Sequence, residues 1–523
     1  MPPAGWSLLP LTNQSSFTRS RPAQILCGLL IAIATAALTS CHSATFFDYH
    51  FPSSTFANRP VPPSLLAERV MVAVSTNGSQ GSLPILDALR DIRSNVQNTK
   101  PSFSISGTVG AFPNLILTFP AEIRGYVFSS TGGTVSLVNY GTESATTPAG
   151  VGPYAGATSL AIPPTFGHIY AALPQAGQLV ISDFTSTAGT YVLNIPNVYQ
   201  VAVNPGDTTV LAMVRNSNAI YRVIKLNVNQ YPTSATAIAA IGAVDCEPLN
   251  VPIYCAVPVN TGTNTNAFDR PVGVYFSLDG TSAYVLNCGA ECGGTTSSVT
   301  FLQQGALNVN TFTIGVPNVD AFSSNVPVPG GVTAAVSDGT TLYVSGQQLQ
   351  PDGLFAGNLS TINLAASATS PSTAVTGKYS ISDGTHTKML FADDNTLWIG
   401  SQQCANGERA LQASLGVLTQ AANYNCLTRF DLGALSASIV PAVTQGPSPV
   451  PVPYPNTNQN QFYYGDLTGL CWVQTFHKVY TAYGGQVHAF NTADGSEINN
   501  FLITVQGTAL DVAYLDAQTD ANN

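Results

Sequence analysis

Two short pairs of polar residues carry the chemistry this chain could do. Asp269 adjoins Arg270, and Asp383 stands three residues before His386. A carboxylate beside a guanidinium can polarise a lactone or hold an acidic ligand, and an imidazole nearby can serve as base. Asp466 and Asp511, each next to an apolar run, are further carboxylates of the same kind. Every one of these residues also has a plain structural account. Asp269 and Arg270 form a surface pair, Asp383-Gly384 forms a turn, and His386 sits between threonines. The six histidines, at 42, 50, 168, 386, 477 and 488, are scattered singly. No HExxH unit, Asp-rich calcium loop, Gly-x-Ser-x-Gly elbow or phosphate loop accompanies them. Neither a metal nor a cofactor is expected.

The cysteines divide by context. Cys41 ends a leader in which Arg19 and Arg21 precede the apolar run 25–38. That run is too short for a spanning helix, which needs about 20 apolar residues. Leu38-Thr39-Ser40-Cys41 resembles the bacterial lipobox, which implies acylation of Cys41 and export to a membrane. His42 follows where an aspartate would favour inner-membrane retention, so the outer membrane or cell surface is the expected destination. Three local pairs are expected as disulfides: Cys246 with Cys255, Cys288 with Cys292, and Cys404 with Cys426. They suit an oxidising compartment such as the periplasm. Cys288 and Cys292 lack the two further soft ligands that zinc would need. Cys471, in an apolar stretch, is expected as a buried small hydrophobe.

Elements that could position these residues repeat along the chain. An apolar strand, a turn rich in Gly, Asp or Asn, and a strand with an aromatic followed by branched residues recur at 273–287, 331–345, 201–212 and 389–400. Asp-Gly and Asn-Pro-Gly give tight reversals, and period-two alternation marks the flanking strands. Second-strand centres fall near Met71, Tyr126, Tyr170, Leu211, Tyr284, Tyr343, Trp398 and Tyr480. Segments 102–106, 190–194, 311–315 and 501–504 read as fourth strands. The spacing predicts an all-β fold, a β-propeller of four-stranded antiparallel blades. Eight blades follow from the count, and seven if residues 66–110 are an appendage. The first module begins at its second strand, 70–75, and the chain offers a solitary strand at 508–514. Together they would complete one blade and close the ring, removing exposed edges.

The units Asp-Gly-Thr…Tyr-Val-Leu-Asn287 and Asp-Gly-Thr…Leu-Tyr-Val-Ser345 resemble the YVTN-type repeats of bacterial surface and periplasmic propellers, a group that includes lactonase-like propellers. That resemblance implies the architecture over residues 66–515. It implies a lactonase-like hydrolase only if Arg270, His386 and an acidic residue converge on one pocket. The three tryptophans, Trp6, Trp398 and Trp472, do not supply the Trp-rich blades of a quinone-binding propeller.

Organisation follows: a signal peptide at 1–40, a Pro-rich tether at 41–65, the propeller at 66–515 and a tail at 516–523. Inserts fall at about 235–268 and 441–460, the second favouring polyproline II geometry. Charged residues are only 8% of the chain and no basic run exists, which excludes a nucleic-acid partner. The formal charge is −10, and −12 once the leader's two arginines are removed. The reading favoured is a lipid-anchored envelope module that binds a protein, peptide or glycan without catalysis. The alternatives are the lactonase-like hydrolase and a structural surface-layer protein.

Overall fold

A computed structural model describes residues 59–76, 80–91, 103–148, 151–185, 189–226, 235–247, 253–312, 318–351, 353–404, 425–441, 465–498 and 503–517. Cys41, expected as a lipidation site, the expected signal peptide and the Pro-rich insert from residue 442 onward lie outside the described residues.

Eight small sheets follow one another along the chain, so the fold is an eight-bladed β-propeller. Blade 3 shows the plan, with strands Ser159–Ala161, His168–Leu173, Gln178–Asp183 and Gly189–Asn194 in spatial order. All eight residues expected as second-strand centres lie in second strands. These strands are buried almost end to end, as in Arg69–Thr76 and Thr396–Gln402. The cause is position: a second strand is covered on both faces by neighbouring blades, so it needs a continuous apolar run. Inner strands such as Val375–Ser380's counterpart in the same blade, Gly331–Ser337, are partly exposed in mid-strand, because one face lines the channel.

The core is a set of layers between blades rather than one mass. Tyr170, Leu179 and Leu193 of blade 3 pack with Val201, Ala212 and Tyr254 of blade 4. Similar layers join blades 4 with 5 and 5 with 6. Between blades 2 and 3, Tyr126, Phe166 and Phe184 stack at centroid spacings of 4.6 and 5.0 Å. Tyr126 is buried and the two phenylalanines are half-buried, and a fully buried aromatic contributes on the order of 2–3 kcal/mol from removed apolar surface.

Closure occurs in blade 1. The last strand, Thr508–Tyr514, pairs antiparallel with Arg69–Thr76, with Val70 opposite Tyr514 and Val72 opposite Val512. Two short strands, Gln80–Ser82 and Ile85–Asp87, continue the blade on the other side. Residues 103–105 take the fourth place through Ile85 N–H to Phe103 and Ile105 N–H to Leu83. The described residues of 66–110 therefore belong to a blade, which makes the number eight. The seam is tied by charge as well. Arg69 donates to both carboxylate oxygens of Asp516 at 3.0 and 2.7 Å, and to Glu143 of blade 2 at 2.9 Å. Glu143 also accepts the Ser64 backbone N–H at 2.8 Å. Residues on both sides of the propeller's strands thus belong to its packed body.

Two expectations are corrected. The fourth strand of blade 5 is Phe322–Pro327, not 311–315. After the short helix Gln304–Leu307 the chain leaves blade 5 for blade 4, where the Lys225 N–H donates to Val309 at 2.8 Å. Phe312 then lies under the Arg222 guanidinium, and residues 313–315 fall outside the described set. The stretch 235–268 is no interruption of the ring. Its strand Ile253–Pro258 is the fourth strand of blade 4, and Asp245–Cys246 adds a fifth. Disulfides Cys246–Cys255, Cys288–Cys292 and Cys404–Cys426 are formed, and Cys471 is free and buried. The disulfides mark a non-cytoplasmic protein. Among the described residues no helix is long and apolar enough to cross a membrane.

Candidate functional site

The inner strands share an irregularity that decides what faces the channel. In blades 2, 4, 5, 6, 7 and 8 the pairing of inner with second strand slips by one residue near the start of the inner strand. In blade 1 the slip falls at Leu510, within the closing strand. A bulge reverses the alternation of faces beyond it. In blade 7, with inner strand Thr385–Ala392, the bulge lies at Thr387, between His386 and Lys388. His386 consequently turns into the blade while Lys388 lines the channel, although simple alternation would put both on one face. Asp511 follows its bulge in blade 1 as Lys388 does in blade 7, and Gly469 holds the same place in blade 8 between them.

The channel encloses a cavity of about 730 Å³ to which all eight blades contribute. Leu117, Ile162, Val203, Val274, Val336 and Leu470 come from blades 2, 3, 4, 5, 6 and 8, beside Lys388 of blade 7 and Asp511 of blade 1. The cavity runs from the level of that pair to the turns joining first and second strands. Pro163, Pro164, Pro205 and Leu278 stand there, and Leu278 is 67% exposed. Its volume and apolar walls match those of small-molecule sites, about 300–1,000 Å³.

Among the described residues, Lys388 and Asp511 are the only charged ones lining the cavity. Lys388 Nζ lies 3.2 Å from Asp511 Oδ1 and 3.4 Å from Oδ2. Asp511 is buried and also accepts the Ile116 N–H at 2.8 Å and its neighbour Val512's N–H at 3.0 Å. The Lys388 side chain keeps 29% of its surface open. Burial raises the Asp511 carboxyl above its usual range, while Lys388 and the Ile116 N–H pull it back. Gly469 makes the approach possible. A Cβ there would meet Val512 N at 2.6 Å and Asp511 Oδ1 at 2.7 Å. Cys471 also lines the cavity, but burial, reinforced by Asp511, pushes its thiol far up. A protonated thiol is a poor nucleophile, so cysteine chemistry is not supported here.

The residues singled out in the sequence lie elsewhere. Asp269 accepts the backbone N–H groups of Thr295 and Thr296, both at 2.7 Å, and fixes the loop that holds Cys288–Cys292. Arg270 donates to the Gly293 carbonyl at 3.1 Å. It also borders a smaller pocket of about 280 Å³ with Tyr199 and Arg215, where blades 4 and 5 meet. Asp383 is buried and accepts the Gly357 N–H at 2.8 Å. His386 is buried and donates through Nε2 to the Ser382 carbonyl at 2.7 Å. Burial lowers its pKa to about 4, so it is neutral at pH 7. Asp466 accepts the Gln403 N–H at 2.5 Å. None of Asp269, Arg270, Asp383 or His386 lines the channel cavity, and no described hydrogen bond or ion pair joins Arg270 to His386. Of the carboxylates singled out, Asp511 alone reaches it.

A second polar cluster stands between blades 3 and 4. His168 contacts Asp207 at 2.5 Å and the Tyr254 hydroxyl at 2.9 Å. Tyr254 donates to Asp183 at 2.7 Å, and Tyr170 to Asp207 at 3.0 Å. Each polar atom here is spent on another, and the cluster ties two blades together away from the channel cavity. Among the described residues no group of three or more His, Cys, Asp or Glu is placed to hold a metal ion.

No protein-family model and no curated protein matches this chain. Solved structures similar to it include dihydro-heme d1 dehydrogenase NirN in complex with DHE. That match is 12% identical at a TM-score of 0.46, over 88% of this chain and 79% of that one. Apo AztD from Citrobacter koseri matches at 9% identity and a TM-score of 0.44, over 86% and 98%. A 6-phosphogluconolactonase-like protein of Bacteroides fragilis matches at 12% and 0.38, over 86% and 98%. These are likenesses of architecture across proteins of varied roles, and no role passes from them.

Proposed function

We propose that this protein is a lipid-anchored, extracytoplasmic binding module of the cell envelope, and that its ligand is a small, mainly apolar molecule taken into the channel. The carrying observation is the channel cavity of about 730 Å³, with apolar walls from every blade and a single ion pair. Few polar groups within a large apolar enclosure orient a ligand without activating it. The hydrolase alternative needs a base and an electrophilic clamp on one pocket, and Arg270 and His386 are engaged in blades 5 and 7. The Lipobox-like Cys41 supports the anchor, and the three disulfides support export.

Saturable binding of the fluorescent apolar probe N-phenyl-1-naphthylamine tests the reading. The mature protein is expected to bind one equivalent. Val274→Trp, which fills the channel from a half-exposed position, is expected to weaken binding at least tenfold with an unchanged circular-dichroism spectrum. Absence of saturable binding to the folded wild-type protein overturns it.

A further inference from the structure

We propose that the channel selects an uncharged amphiphile, an apolar body bearing one ester or amide carbonyl, and that Lys388 Nζ donates a hydrogen bond to that carbonyl oxygen. The inference rests on the binding role given to the channel and adds the chemistry of the ligand's polar end.

Three observations carry it. The first is donor capacity. An ammonium has three N–H groups, and among the described residues Asp511 alone partners Lys388. At least one donor is left, on a side chain that lines the cavity and is 29% open. The second is the lack of a spare carboxylate: among the described residues lining the cavity, Asp511 is the one acidic side chain. Asp511 already takes donors from Lys388, Ile116 and Val512. A ligand ammonium would therefore stand beside Lys388 with no free carboxylate to offset its charge. The third is charge. Lys388 and Asp511 cancel, so a carboxylate guest would leave the apolar cavity with one uncompensated negative charge next to Asp511. Burying such a charge is strongly unfavourable. A neutral carbonyl accepts from Lys388 at no such cost, while its hydrocarbon part covers the apolar walls.

Displacement of N-phenyl-1-naphthylamine by methyl decanoate, decanoate and decane at pH 7.5 decides the matter. The ester is expected to compete about tenfold or more better than decane, the scale of one hydrogen bond to a charged donor. Decanoate is expected to be weaker than the ester by a similar factor. Lys388→Met alone strands a buried carboxylate, so the key variant is Lys388→Met with Asp511→Asn, which removes both charges together. With its own probe affinity as the reference, it is expected to bind ester and decane within about twofold of each other, the hydrogen bond being gone. A decanoate affinity equal to or above the ester's overturns the inference, as does an ester preference that survives in the double variant. Both results leave the binding role standing. Failure of the probe to bind the wild-type protein removes that role and this inference together.

Discussion

His386 and His168 titrate in opposite senses, and stability should show it. Burial holds the His386 pKa at about 4, against an ordinary value of 6.5. Between those values the unfolded chain binds a proton that the folded one does not. His386 therefore contributes stability above about pH 6.5, and this is lost as pH falls through 4. For His168, burial alone would lower the pKa, but Asp183 and Asp207 outweigh it and raise it to about 9. Its contribution is complete below about pH 6.5 and is lost as pH rises through 9. Thermal midpoints measured from pH 4 to pH 10 for the wild type, His386→Asn and His168→Gln check both signs. The gap between wild type and His386→Asn is expected to narrow on the acid side. The gap to His168→Gln is expected to narrow on the alkaline side. Equal gaps at every pH would contradict the assignment.

At the scale of elements, the seam between the first and last strands concentrates buried charge. Arg69 is held between Asp516 and Glu143, all three buried. Arg69→Met strands two carboxylates and is expected to cost about 3–5 kcal/mol in urea unfolding. Adding Glu143→Gln and Asp516→Asn is expected to recover much of that loss, because what hurts is the uncompensated charge. Gly469 tests the contact between blades 8 and 1. Its Cβ would lie 2.6 to 2.7 Å from the backbone and carboxylate at Asp511 and Val512. Gly469→Ala should cost about 1–3 kcal/mol through overpacking and should weaken the Lys388–Asp511 pair. The Cys404–Cys426 bridge closes a separation of 22 residues. Replacing both cysteines by alanine is expected to lower stability by about 3 kcal/mol in the chain-entropy picture.

For the whole molecule, the prediction concerns where the ring is held. The lipobox-like ending at Cys41 implies acylation, and incorporation of radiolabelled palmitate during bacterial expression measures it directly. The wild type is expected to carry label and to partition with membranes. Cys41→Ala is expected to lose the label and leave the membrane fraction. Label retained in Cys41→Ala would remove the anchor from the proposal without touching the channel. A closed ring of eight blades also concerns stability. Each blade buries its apolar faces against two neighbours, so the described sheets keep only short inner and outer edges, which limits edge-to-edge association.

Local pattern in the sequence determined the second strands, the three disulfides and the closing strand. A second strand is sandwiched between blades, so its apolar run and aromatic survive as a linear signal, and Met71, Tyr126 and Trp398 fell where expected. The short spacings of the paired cysteines are likewise a local property. The fourth strand of blade 5 was hidden because 309–312 crosses to blade 4, a choice made by packing at a distance. The channel site was only half legible. Asp511 is marked in the sequence as a carboxylate within an apolar strand, whereas nothing local to Lys388 marks it. Alternation counted from His386 gives both residues the same face. Only the bulge at Thr387, fixed by pairing with the second strand, turns Lys388 into the channel. Its meeting with Asp511, 123 residues away, then depends on ring closure and on the missing side chain at Gly469.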